Sequence, residues 1–301
     1  MRNLKNKTIG IIAPSTNLKE ENKGDIKKSI KKCEDLGLKI IISENAYSKE
    51  TDKNIKIKEK ISDIHNMFKN KNIDGIFCAK GGKFCLNLLP YIDYNLIKEN
   101  PKVFGGISDV TFLLNAIYAK TNLITFHMSD FKRFIKENEY NEKCFVDIFL
   151  KNKIGKIPQN KPWKSLKKGV GKGTLIGGNL TCLTMLSETE YFPSDKNIIL
   201  FIEDVEGATT KKQIKENIQK LIKNKIMDKV QGLLLADFTS NEDIKLEDIV
   251  IPLLSSYNFP IIKCHDFGHN KINCVLPIGA KVTLNANEST LSIDETIFEE
   301  N

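Results

Sequence analysis

Along the first 130 residues, short apolar runs alternate with longer stretches whose apolar positions recur at helical spacing. Thr8-Ile-Gly-Ile-Ile-Ala-Pro14 is continuously apolar and closes in a turn, as expected of a strand buried on both faces of a parallel sheet. The spacing then predicts a helix from about Asp25 to Leu36, a strand over Lys39–Ile42 and a helix from about Asn54 to Phe68. Gly75–Ala79, Val103–Gly106 and Leu123–Phe126 continue the strand series. This alternation predicts an α/β fold whose N-terminal part, residues 1–150, is a mostly parallel sheet flanked by helices.

The rhythm stops over residues 151–172, where Lys, Asn, Pro and Gly are dense and no period is sustained, so this stretch is expected to be a linker. A second α/β part, residues 173–301, follows. Its predicted elements are a strand at Ile198–Ile202, a helix from Thr210 to about Lys223, a strand at Gly232–Leu235, a helix near Leu246–Leu254 and a strand at Pro260–Lys263. Thr210 followed by Gln213 forms a capping box, with Ile214, Ile218 and Leu221 on one face. Val282–Ala286 and Leu291–Ile293, joined through a polar turn near Ser289, are expected to close the chain as a β-hairpin.

Composition narrows the function classes. Net charge is +8, but the lysine excess is spread in short runs without interleaved aromatics, which points away from nucleic acid. No stretch approaches the ~18 apolar residues of a membrane span, and the N-terminus runs directly into a strand without a leader pattern, so a cytoplasmic protein is expected. The seven cysteines form no C-x-x-C pair and are expected to be reduced thiols, neither a disulfide framework nor a zinc site. His265 and His269 have the spacing of a metal pair, but no helix or third ligand accompanies them, and no metal is expected.

The segment Val103-Phe-Gly-Gly-Ile-Ser-Asp-Val-Thr carries the candidate chemistry. A strand runs through two glycines into Ser108 and then into a helical pattern at Val110, Leu113, Leu114 and Ile117. Ser108 and Asp109 have two readings here, a helix N-cap pair or a nucleophile held on a tight turn with free N–H groups beside it. For a proton acceptor there are four histidines. His65 lies in a charged helix, His127 follows a strand and either lines a cleft or packs, and His265 and His269 bracket Asp-Phe-Gly. Of these, His269 has the exposed placement suited to proton transfer. Glu203 and Asp204 emerge from the carboxyl end of a strand, where open sheets bind ligands. Ser108, His269 and Glu203 thus make a possible Ser–His–carboxylate set assembled across the two halves.

Taken together, the motifs resemble the LD-carboxypeptidase family of serine peptidases, which includes murein tetrapeptide carboxypeptidases and microcin C self-immunity peptidases. The resemblance runs through Ile9-Gly-Ile-Ile-Ala-Pro-Ser, Gly81-Gly82, Asn100-Pro-Lys-Val-Phe-Gly-Gly-Ile-Ser-Asp and Leu123-Ile-Thr-Phe-His. It continues with Leu175-Ile-Gly-Gly-Asn-Leu, Leu200-Phe-Ile-Glu-Asp, Phe267-Gly-His and Leu276-Pro-Ile-Gly-Ala. It implies Ser108 as nucleophile, His269 as general base and acid, and Glu203 as the residue orienting it. The backbone N–H groups of Gly82 and Asp109 would form the oxyanion hole, no cofactor is implied, and a homodimer is expected.

This chain departs from the family pattern at the cleft. The murein enzymes carry Arg-Gly-Gly-Tyr-Gly where this sequence has Lys80-Gly-Gly-Lys83-Phe, and Met128-Ser-Asp replaces the usual Gly-Pro. Lys80, Lys83 and Trp163 are therefore the candidate substrate contacts, and Asp266-Phe-Gly-His269 is closer to the microcin branch. The implied substrate is a small murein peptide or a peptidyl or aminoacyl nucleotide. A non-catalytic muropeptide-binding protein is the rival reading. A nucleotide-binding module is disfavoured, because Gly81-Gly82 and Gly177-Gly178 match neither phosphate-binding glycine motif.

Overall fold

A computed structural model of the chain describes residues 1, 3–19, 23–131, 138–204, 209–236 and 245–299. In the N-terminal half, β1 (Thr8–Ile12), β2 (Lys39–Ile42), β3 (Gly75–Cys78), β4 (Val103–Gly106) and β5 (Thr125–His127) form one sheet in the order 2-1-3-4-5, all parallel. Crossovers are made by α1 (Lys23–Asp35), α2 (Lys53–Lys69), α3 (Tyr94–Glu99) and α4 (Thr111–Thr121). Every residue of β3, β4 and β5 is buried, the consequence of helices covering both faces. β2 lies on the edge and exposes Lys39 and Ile41 in alternation. The chain passes from β1 to β2 on one side and returns to β3 on the other, so the loops leaving β1 and β3 diverge. A crevice opens at their carboxyl ends.

After β5, α5 (Glu139–Phe145) packs its Phe145 on Phe77 of β3, and the second half then contains β6 (Gly155–Lys156), β7 (Lys164–Lys167), β8 (Val170–Asn179), α6 (Leu180–Leu186), β9 (Ile198–Glu203), α7 (Lys211–Lys223), β10 (Val230–Ala236), α8 (Leu246–Leu253), β11 (Ile261–Cys264), β12 (Leu276–Ile278), β13 (Lys281–Asn285) and β14 (Thr290–Ile293). Its sheet has the order 6-14-13-8-9-10-11-7, with β8 to β11 parallel and the flanking strands antiparallel. The closing hairpin is β13–β14, with Ser289 in the left-handed region at its turn. The capping box of α7 forms between Thr210 and Gln213, and Ile214, Ile218 and Leu221 are its buried face.

Two assignments from the sequence change. Residues 151–172, expected as a linker, contain β6, β7 and the start of β8, which pair antiparallel with β14, β11 and β13. These strands are short or at the sheet margins, so they carry no buried period and read as loop. β12 leaves the second half altogether and pairs antiparallel with β5 in the first sheet. A continuous apolar cluster follows this exchange, with Phe126 of β5 packed against Phe149 and Phe298 at centroid distances of 4.7 and 5.9 Å. Each such buried ring contributes roughly 1.5–3 kcal/mol.

Candidate active site

Ser108 stands where β4 ends and α4 is about to begin. Ile107 is extended, Ser108 has φ +68°, and a short 3-10 turn over Ser108–Val110 leads into the helix. A non-glycine residue in the left-handed region costs on the order of 1–3 kcal/mol and persists only where its surroundings impose it. The N-cap of the turn is Ile107 and that of α4 is Val110, so neither Ser108 nor Asp109 fills the N-cap position. Two close approaches impose the bend. A Cβ on Gly106 would lie 2.7 Å from Val110 Cγ1, and one on Gly81 would lie 2.5 Å from Ser108 Cβ, so both positions require glycine.

Asp109 explains how the Gly81-Gly82 turn is held against the serine. Its buried carboxylate accepts hydrogen bonds from Ser15 Oγ (2.6 Å) and from the N–H groups of Gly82 (2.7 Å), Phe84 (2.8 Å) and Cys85 (3.1 Å). This four-fold clamp was not visible in the sequence, where Asp109 counted as a helix N-cap candidate and through its backbone N–H. It also alters one expectation. The Gly82 N–H, expected to face an oxyanion, is committed to Asp109 Oδ1. The Asp109 N–H belongs to the first turn after the elbow and is not consumed by the helix.

On the second sheet, Glu203 is the last residue of β9, and its Oε2 lies 2.6 Å from His269 Nδ1. The glutamate side chain is wholly buried and that of His269 is 12% exposed. Gly268, at φ +104°, lets the loop after β11 close over Glu203, since a Cβ there would sit 3.1 Å from Glu203 Cβ. Asn273 pins the loop, accepting from Gly268 N–H (3.0 Å) and donating to the Gly268 and Asn270 carbonyls (2.7 and 3.0 Å). Asp204 has a different task. Its carboxylate accepts from Asn179 Nδ2, Thr181 N–H, Thr181 Oγ1 and Thr209 Oγ1, fixing the start of α6.

His127 joins the two halves. It pairs in the sheet with Gly106, two residues before Ser108. Its ring packs edge-on against Phe201 and Phe267 at 5.2 and 6.2 Å, two residues before Glu203 and His269. The elbow and the carboxylate–imidazole pair therefore rise from one shared aromatic floor. No hydrogen bond joins Ser108 Oγ to the imidazole among the described residues; in unliganded enzymes such contacts tighten when substrate binds.

His127 is fully buried, neither ring nitrogen has a hydrogen-bond partner, and burial pushes its pKa from 6.5 down to about 3, with the nearby His269 adding to the fall. The unfolded chain binds this proton below pH 6.5 and the folded chain does not until about pH 3. Stability is thus complete above the unfolded value and falls with pH between the two, by up to about 1.4 kcal/mol per unit. His127→Phe is expected to flatten this acid limb and to melt no lower than the parent at neutral pH, because an isosteric apolar ring removes two unsatisfied polar atoms. Urea titrations from pH 4 to 7 check this, and an unchanged slope would refute it.

The candidate substrate contacts separate in the structure. Lys80 is half-buried at the head of the glycine turn, and Lys83 is exposed beyond it. Trp163 is not at a substrate surface: it is buried, and its Nε1 donates to Asp266 Oδ2 at 2.7 Å. It directly precedes β7 (Lys164–Lys167) and is tied inward by that hydrogen bond. His65 is half-buried and its Nε2 accepts the Asp93 N–H. All seven cysteines are buried free thiols.

An elbow serine and a carboxylate-held imidazole on an α/β scaffold are the residue set of a serine hydrolase. The chain belongs to the LD-carboxypeptidase family of serine peptidases: the family's N-terminal domain matches residues 9–128 and its C-terminal domain residues 172–284. Ser108, Glu203 and His269 all fall inside the matched segments. A probable murein peptide carboxypeptidase of Bacillus subtilis is 27% identical, covering 98% of this chain and 94% of the relative. The microcin C7 self-immunity protein MccF of Escherichia coli is also 27% identical, over 96% and 93%. The crystal structure of an MccF-like protein from Bacillus anthracis superimposes with a TM-score of 0.88 at 27% identity, covering 97% of this chain and 98% of that one.

Proposed function

We propose that this peptidase cleaves an amide next to a carboxylate-bearing residue through Ser108, His269 and Glu203, and that its substrate is the L,D bond of a murein tetrapeptide, with release of terminal D-alanine. The observation that carries the reading is the 2.6 Å contact between Glu203 Oε2 and His269 Nδ1. With Nδ1 turned to the carboxylate, Nε2 is the nitrogen left to take the Ser108 proton. Ser108 Oγ then bonds to the substrate carbonyl carbon, and the carbonyl oxygen becomes an oxyanion supported by the Asp109 N–H. His269 returns the proton to the leaving amine as the C–N bond breaks. Water, deprotonated by the same imidazole, attacks the acyl-serine and frees the acid product together with Ser108.

A second reading within the family is hydrolysis of a peptidyl or aminoacyl nucleotide. Lys80 in place of the murein enzymes' arginine favours it, since lysine binds a carboxylate as a point charge without the two-pronged geometry. Mass spectrometry separates the two: a murein tetrapeptide and an aspartyl-adenylate analogue are incubated with wild type and Ser108→Ala. Serine-dependent loss of D-alanine establishes the first reading, and cleavage of the nucleotide conjugate alone establishes the second. If neither is cut, both fail.

Cytoplasmic location and a homodimer complete the proposal. Seven buried thiols suit a reducing compartment, and no described helix is long and apolar enough to cross a membrane. Light scattering on the purified chain is expected to give twice its 34.1 kDa; a monomer at micromolar concentration would contradict the assembly.

A further inference from the structure

Beyond the glycine turn, on the side away from Ser108, lies an open cavity of about 250 Å³ lined by Ser15, Thr16, Asn17, Lys56, Lys83 and Phe84. It sits in the crevice predicted by strand order, between the loops that leave the carboxyl ends of β1 and β3. One turn connects it to the elbow. A Cβ on Gly81 would strike Ser108, and a Cβ on the next residue, Gly82, would lie 2.4 Å from Ser15 Oγ and 2.5 Å from Thr16 Oγ1. The nucleophile thus lies against Gly81, and Ser15 and Thr16 of the cavity lie against the next residue, Gly82.

The cavity's polar groups that remain available are donors. Ser15 is spent, giving its proton to Asp109 and accepting the Phe84 N–H. Asn17 Oδ1 accepts the Lys19 N–H, which leaves its amide NH₂ as the group able to face the cavity. Thr16 Oγ1 makes no hydrogen bond among the described residues. The Lys56 ammonium is seated over the Phe84 ring, 4.5 Å from its centroid, a position that holds the charge at the cavity wall. Neither Lys56 nor Lys83 has a carboxylate within ion-pair distance among the described residues. Lys60, one helical turn beyond Lys56, is buried with its pKa lowered, first by burial and then by the Lys56 charge, while Asp63 and Glu59 on the same helix oppose the fall. The Asp109 carboxylate is held by four hydrogen-bond donors of its own.

We propose that this crevice is an anion subsite. Lys56, Lys83, Thr16 and Asn17 hold a carboxylate or phosphate of the substrate whose scissile amide faces Ser108. The proposal rests on the active-site reading for that orientation, but anion binding itself does not require turnover.

The test is therefore a binding measurement. Wild type and the double variant Lys56→Gln/Lys83→Gln are titrated calorimetrically with inorganic phosphate and, separately, with acetate. Saturable binding of at least one anion is expected, weakened about tenfold or more in the double variant, as loss of charge-assisted hydrogen bonds requires. Lys56→Arg/Lys83→Arg retains binding and controls for folding. Preference for phosphate points to a nucleotide-type substrate and preference for acetate to a peptide carboxylate. No saturable binding of either anion, or binding indifferent to the double substitution, overturns the subsite. Serine-dependent cleavage without anion binding sinks the subsite and leaves the active-site reading standing. Lysine-dependent anion binding without cleavage of any substrate does the opposite.

Discussion

Ser108→Ala is expected to lower kcat by about 10⁴–10⁶ on any amide that the wild type cuts, with substrate binding retained. Among the described residues, two hydroxyls near the elbow are already engaged. Ser15 Oγ is bound to Asp109, and Thr111 Oγ1 accepts the Asn179 N–H at 3.0 Å. The elbow geometry supplies a second readout. Because residue 108 sits at φ +68°, alanine keeps the backbone strain while glycine relieves it. Ser108→Gly should therefore melt above Ser108→Ala, by an amount equivalent to about 1 kcal/mol, although both are inactive. An alanine variant within tenfold of wild-type kcat would remove Ser108 from the reaction. Equal melting of the two variants would mean that the bend is not stored strain.

Much of this arrangement was legible in the chain, for reasons that differ by element. Interior parallel strands such as Ile9–Ile12 and Ile198–Ile202 announce themselves because both faces are buried and every position is apolar. The elbow was legible because two glycines must precede a serine that turns this sharply, and α7 because its capping box and apolar face agree. Residues 151–172 misled because margin strands pair through backbone and need no period. The Asp109 clamp was hidden for another reason: its partners, Ser15 and residues 82–85, are brought together only by neighbouring strand ends. Sequence distance hides such contacts, and the residue's obvious role as a helix starter masked its real one. Asn273, which pins the His269 loop, was missed in the same way.

Glu203→Gln is expected to cost about 10⁴ in kcat, although it changes one atom. In the folded protein Oε2 contacts His269 Nδ1, while Oε1 is buried without a hydrogen-bond partner. Glutamine can be placed there in two ways, and both are costly. With its NH₂ toward His269, Nδ1 must accept, so the proton moves to Nε2 and the imidazole can no longer take one from serine. With its carbonyl toward His269 the tautomer survives, but the NH₂ occupies the Oε1 position with no acceptor, a penalty of about 1–3 kcal/mol. In either placement the negative charge that stabilises the imidazolium is gone, so the basic group read in kcat against pH should titrate lower than in wild type. Asp204 cannot compensate, since both its oxygens are engaged at the start of α6. A purely structural role for Glu203 would lower thermal stability and leave the pH profile of the surviving activity in place. Loss of kcat with a displaced profile and a near-native melting curve identifies Glu203 as the residue that orients and charges His269; a variant within tenfold of wild type, titrating at the same pH, would exclude it.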